Sequence, residues 1–144
     1  MADSENRAGT QNLDTKIQKD LGVYVASILN ELNSIFGDDK ESLYKYLLIA
    51  SEDPDYKNSL NIIHQQIQKN SPETYEQEKD ILDTINDNVY ALGSLANGDL
   101  DYVNQIGLAG RDDLNDYEMG IISTSTKLML FQVVDVNLDN SRSN

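Results

Sequence analysis

One histidine, no cysteine and 25 carboxylates against 11 basic side chains set the chemistry open to this chain of 144 residues. Without a thiol there can be no disulfide framework, no zinc–thiolate site and no sulfur nucleophile. His64 sits beside Ile63, next to an apolar stripe rather than on it. Lacking a second imidazole, it reads as a half-covered boundary residue and not as a base or metal ligand. Asn97, Asp99 and Asp101 have the 1, 3, 5 spacing of a calcium loop. The sixth position, where the sharp turn needs glycine, is Tyr102, and the twelfth, where a bidentate glutamate belongs, is Leu108, so the loop reading fails. A second acidic group, Asp112, Asp113, Asp116 and Glu118, reads as a helix N-terminus whose carboxylates complement the dipole.

Phosphate-cradling loops are missing, because the glycines never form GxGxxG and no Gly-Lys-Ser/Thr occurs. No Gly-x-Ser-x-Gly accompanies the histidine. Pairs of carboxylates could meet anywhere among 25 acids, which gives acid–base catalysis no specific signature. The expectation is therefore a protein without catalytic residues, cofactor or metal.

The formal charge of -14 narrows the partners. Phosphate backbones and anionic membrane surfaces both repel such a chain, which excludes direct nucleic-acid binding and membrane insertion. Other proteins remain: a basic partner, or a second copy in a homo-oligomer. Asp80, Asp83 and Asp87 lie on one helical face at spacings of 3 and 4. Residues 80–144 hold 11 acids against 3 bases. The opening MADSENRAGTQN has no apolar core of a signal peptide, and no 18-residue apolar run occurs. The expected address is the cytoplasm, or export without a cleaved signal.

The elements that would position these residues are legible from periodicity. Leu13, Ile17, Leu21, Tyr24, Ile28, Leu32 and Ile35 recur at 4, 4, 3, 4, 4 and 3, one apolar stripe along a helix of about 25 residues. Gly37 suits its C-terminal turn. Asp38 and Glu41 form a capping-box pattern for a short helix carrying Leu43, Leu47 and Leu48. Asp53-Pro54 restarts the chain as N-cap and N1, with Tyr56, Leu60, Ile63 and Ile67 behind. Ser71-Pro72-Glu73 caps the next helix, whose stripe is Tyr75, Leu82, Ile85, Val89, Leu92 and Ala96; Asn97-Gly98 ends it. A short segment with Leu100, Val103 and Ile106 runs into a loop marked by Gly107 and Gly110.

From Asp112 or Asp113 a last helix carries Met119, Ile122, Thr126, Met129, Val133 and Val136 at heptad-like spacing. Phe131 to Leu138 also alternates as a strand would; the unbroken seam favours helix. Within it, the run Ser123-Thr124-Ser125-Thr126 can bond back to the preceding turn or admit a closely packed neighbour. The tyrosines Tyr24, Tyr56 and Tyr75 fall on stripes, as core-edge residues with wet hydroxyls. Tyr44, Tyr46, Tyr90, Tyr102 and Tyr117 fall off them, and Tyr90 and Tyr117 are the expected interface anchors.

The fold class expected is all-α: an antiparallel helical bundle of about four to six helices, three long and two or three short, with disordered polar termini. The tail is residues 1–11, the single domain 12–138, and the frayed end 139–144. The function expected is a non-enzymatic acidic helical protein-interaction module of the binding, adaptor or inhibitor kind. Its expected contacts are Tyr90, Tyr117, the row Asp80, Asp83 and Asp87, and the seam residues Met119, Ile122 and Met129. One alternative comes from a resemblance. The 31 residues from Leu114 resemble the C-terminal helix of type III secretion needle and filament proteins, an amphipathic Ser/Thr- and Asn-containing helix near the chain end behind a polar N-terminus. The resemblance covers about a fifth of the chain and implies a structural subunit of a secreted helical filament; the polar end Asp139 to Asn144 departs from that pattern. The other alternative is an acidic nucleic-acid mimic that blocks a DNA-binding protein, with carboxylates in the place of phosphates.

Overall fold

A computed structural model of the chain describes the backbone of residues 2–143 and the side chains of residues 15–134. Six helices and one 3-10 turn make up the described residues, with no strand. They are α1 (Ala2–Phe36), α2 (Lys40–Glu52), α3 (Tyr56–Asn70), α4 (Pro72–Ala96), α5 (Leu100–Ile106) and α6 (Asp116–Ser143), with the 3-10 turn Leu108–Gly110 between the last two. The protein is thus an all-α bundle, with α1, α4 and α6 as the three long members. The tails expected at 1–11 and 139–144 lie outside the residues with described side chains. The segment 131–138 belongs to α6 and is helical.

The stripe expected on α1 is the stripe that packs. Ile17, Leu21, Ile28 and Leu32 are buried, joined by Val25, while Tyr24 and Ile35 close its edges. Leu13 lies outside the residues with described side chains.

The hub of the bundle is the last part of α4. Residues 91–96, Ala-Leu-Gly-Ser-Leu-Ala, are all buried, which a helix can manage only when neighbours cover every side. Helix α4 touches α1, α2, α3, α5 and α6. Small residues let those neighbours come close. Tyr56, at the start of α3, lies on Gly93 near the end of α4, so the two helices run antiparallel. The Tyr56 hydroxyl is 2.9 Å from the Ser94 hydroxyl, and both residues are buried. The ring therefore belongs to the core rather than its wet edge, which corrects the expectation for this tyrosine. Away from the hub, residues 68–81 are exposed except for a partly covered Tyr75, so the α3–α4 hairpin ends in a projecting tip.

Helix boundaries follow capping chemistry, and three starts differ from expectation. The N-cap of α2 is Asp39, not Asp38: its carboxylate accepts from Ser42 N at 3.2 Å. Helix α3 begins at Tyr56 behind Asp55, while Asp53 accepts from Asp55 N at 2.8 Å and from the Ser59 hydroxyl, forming a turn instead of a cap. Helix α6 begins at Asp116 rather than at Asp112 or Asp113, because Asn115 and Glu118 form a reciprocal capping box. Glu118 N donates to Asn115 Oδ1 at 2.8 Å and Asn115 N donates to Glu118 Oε1 at 3.1 Å. The Ser71-Pro72 start of α4 is as expected, and Gly98 beyond its end takes φ +69°.

Candidate interaction surface

The two acidic groups, the one with calcium-loop spacing and the one before the last helix, are engaged in local structure. Asn97 donates its side-chain amide to Gly93 O at 2.8 Å, and Asp99 caps α5 by accepting from Tyr102 N. Asp99 also lies 3.9 Å from Lys57. In the second group, Arg111 is the organising residue, and its role was not legible before the loop folded. Its guanidinium reaches Asp113 at 2.7 Å and the buried Glu118 at 2.9 Å. The Arg111 hydrogen bond and charge hold the Asp113 carboxyl below its ordinary value. No group of three or more metal-ligating side chains comes together among the described residues.

His64 is half-buried on α3 as expected, with its Nε2 covered and without a hydrogen-bond partner; the same holds for Asn86 Oδ1.

Aromatic and cationic side chains gather where α3, α4 and α5 meet. Tyr56 and Tyr90 pack edge to face with centroids 5.7 Å apart, and the Lys57 ammonium lies 4.9 Å from the Tyr90 ring. Tyr90, an expected interface anchor, is thus engaged within its own chain. Hydrogen bonding to Tyr90 and the nearby Tyr56 raise the Lys57 pKa. Tyr24 and Tyr102 share a 2.7 Å hydroxyl–hydroxyl hydrogen bond. Burial, then the Tyr24 hydrogen bond, raises the Tyr102 pKa, and burial alone raises that of Tyr46. In the unfolded chain these phenols ionise near pH 10, earlier than in the fold. Stability from them is complete below that pH and is lost as pH rises above it. The melting temperature should hold level from about pH 7 to 9 and fall above about pH 10, and Tyr102→Phe should make that fall shallower.

The last helix faces two ways. Met119, Ile122, Thr126, Leu130 and Val134 point inward and are buried against α1, α2 and α4. Two of the expected partner contacts, Met119 and Ile122, are therefore covered by their own chain, and Met129 is partly covered. The inner seam is filled because α6 closes the bundle with it. Thr126, fully buried, donates its hydroxyl to Ile122 O at 2.8 Å, and Ser123 donates to Gly120 O at 3.4 Å, so these two members of the Ser/Thr run bond back to the preceding turn.

On the opposite side Tyr117, Ile121, Thr124, Leu128 and Phe131 repeat at 4, 3, 4 and 3. At 100° per residue they fall on one outward stripe about 21 Å long. Tyr117 is 63% exposed, Leu128 58% and Phe131 49%. Beside the stripe, a shallow groove of about 410 Å³ separates α6 from α1 and is lined by residues such as Ala26, Leu29, Met129 and Gln132, none of them charged. The larger groove along α2, by contrast, carries Lys40, Glu41, Lys45, Glu52 and Asp53. Asp80, Asp83 and Asp87 are exposed on the solvent side of α4, in line with Glu73 and Glu76.

The chain matches no protein-family model, no curated protein and no solved structure. No helix among the described residues is long and apolar enough to cross a membrane.

Proposed function

We propose that the protein is a non-enzymatic, acidic helical interaction module whose docking face is the outer side of α6. The observation that carries this reading is the outward stripe through Tyr117, Leu128 and Phe131, large apolar side chains kept in water at helical spacing, with the half-buried Ile121 between them, on a helix whose other face is already in the core. Scattered exposed leucines are ordinary; a contiguous row beside an uncharged groove is the signature of a surface that is covered in use. The acids elsewhere act as a repulsive frame that discriminates against acidic partners.

The test is the double substitution Leu128→Glu with Phe131→Glu, which places charge on the stripe while leaving the inner seam intact. Tagged wild-type protein should recover a specific partner from its own host, and the variant, with an unchanged helical circular dichroism spectrum, should lose it. Recovery of the same proteins by both would remove α6 from the reading.

A further inference from the structure

We infer that Asn97-Gly98, the turn between α4 and α5, is a site of spontaneous amide-to-acid conversion that the fold holds shut, and that conversion there loosens the hub of the bundle. The inference stands apart from the α6 face. Asn97 is the one asparagine in the chain that is followed by glycine. With no side chain on the next residue to hinder it, the Gly98 backbone nitrogen can attack the Asn97 carboxamide carbon. That nitrogen gives up its proton to solvent, the new C–N bond closes a five-membered imide, and the side-chain nitrogen takes up a proton and leaves as ammonia. Water then opens the imide. Attack at the side-chain carbonyl gives aspartate; attack at the main-chain carbonyl gives isoaspartate, whose peptide link runs through the side chain.

In the folded chain the two reacting groups are tied apart. The Asn97 side-chain amide donates to Gly93 O at 2.8 Å, and Gly98 N donates to Leu95 O at 3.2 Å. Both are thus engaged with carbonyls at the end of α4 rather than with each other. The turn around them is closed as well. Asp99 N donates to Ser94 O at 2.9 Å, and the Asp99 carboxylate caps α5. A Cβ at Gly98 would lie 3.9 Å from Ser123 Cβ and 4.0 Å from Met119 Cε, so α6 backs the turn. Asn97 itself is exposed, so water is at hand and geometry is the obstacle. The reaction waits for the turn to open, and its rate follows the open population.

Conversion then acts on the hub. A carboxylate at residue 97 cannot donate to Gly93 O, and it sets a negative charge at the negative end of α4, with Asp99 and Asp101 close behind. Isoaspartate also adds a backbone carbon inside the turn that Asp99 N closes on Ser94 O. Ser94 is the hydroxyl partner of Tyr56, so the disturbance reaches the contact between α3 and α4. Converted chains open more readily, and the loss of ammonia makes the change one-way.

Peptide mapping by mass spectrometry tests the inference. The whole chain is incubated at mildly alkaline pH, folded or in guanidinium chloride, and the fragment spanning Asn97 is scored for aspartate and isoaspartate. The denatured sample should convert at least about tenfold faster. Asp99→Ala, which removes the α5 cap, should speed the folded reaction and leave the denatured rate unchanged. Asn97→Asp should lower the melting midpoint by about 2–4 °C, and Asn97→Ala, which loses the hydrogen bond without gaining charge, should lower it less. No conversion in the denatured chain, equal folded and denatured rates, a folded rate that Asp99→Ala leaves unmoved, or an Asn97→Asp protein as stable as wild type would each overturn the inference.

Discussion

Gly93→Ala should destabilise the protein, although alanine is the better helix former. In an open helix interior the change would add about 0.8–1.0 kcal/mol. Here a methyl group at residue 93 would sit 2.5 Å from Tyr56 Cδ2 and under 3 Å from two further ring carbons. The ring cannot retreat: Tyr56 is 4% exposed, its hydroxyl is bonded to Ser94, and Tyr90 packs against its edge. Overpacking of this kind costs about 1–3 kcal/mol. At this chain size, 1 kcal/mol moves the midpoint by about 2–4 °C, so thermal melting should show a drop of roughly 3–10 °C. Gly22→Ala supplies the control, since a Cβ there meets nothing within 4 Å and α1 should gain stability from it. If both substitutions raised the midpoint, the close approach of α3 to α4 described above would be wrong.

Glu118→Ala should be more damaging than its place in a surface helix's first turn suggests. The side chain is 3% exposed and holds three things together. It closes the α6 capping box through Asn115 N, it accepts two guanidinium hydrogen bonds from Arg111, and it thereby ties the 107–115 loop to the helix. A lost cap costs about 1 kcal/mol and a lost hydrogen bond to a charged group about 1.5–3, which together predict a loss of about 2–4 kcal/mol. The midpoint should fall by roughly 5–15 °C. Glu118→Gln keeps the shape and a carbonyl oxygen for Asn115 N but gives up the charge, so it should fall between wild type and alanine. Equal midpoints for all three proteins would show that the loop and cap contribute nothing to the fold.

These two sites also mark how far the sequence could be read. The stripes of α1 and α4 were legible because, Ala96 apart, their residues have large apolar or aromatic side chains at a helical spacing. The Ser71-Pro72 start was legible because proline fixes the first helical position. Where two acids stood near each other, spacing did not say which would cap: of Asp38 and Asp39 the second does, and of Asp53 and Asp55 neither carboxylate caps α3, Asp53 forming the turn before it. The Asn115–Glu118 box was present in the sequence but lay behind the more conspicuous Asp112-Asp113 pair. The Tyr56–Gly93 contact joins residues 37 positions apart and had no local signal at all.

The docking face shows a different kind of ambiguity. Helix α6 has two apolar rows at heptad spacing, one through Met119 and Ile122 and one through Tyr117, Leu128 and Phe131. Periodicity reports that both exist and cannot say which of them the rest of the bundle will cover. Only the packed structure assigns the first to the core and leaves the second to water. Tyr117, picked out because it stood off the seam, is exposed for that same reason, whereas Tyr90 is drawn against Tyr56 and Lys57.

The projecting end of the α3–α4 hairpin has a consequence of its own. Residues 68–81 bury almost nothing, so their helical turns rest on backbone hydrogen bonds that water can contest. This end should open far more often than the hub near Gly93, exchange its amides first, and be the place where a protease nicks the intact domain. For the same reason it is the position at which a fluorescent label, an epitope or a short inserted peptide can be spliced in while the rest of the molecule keeps its shape.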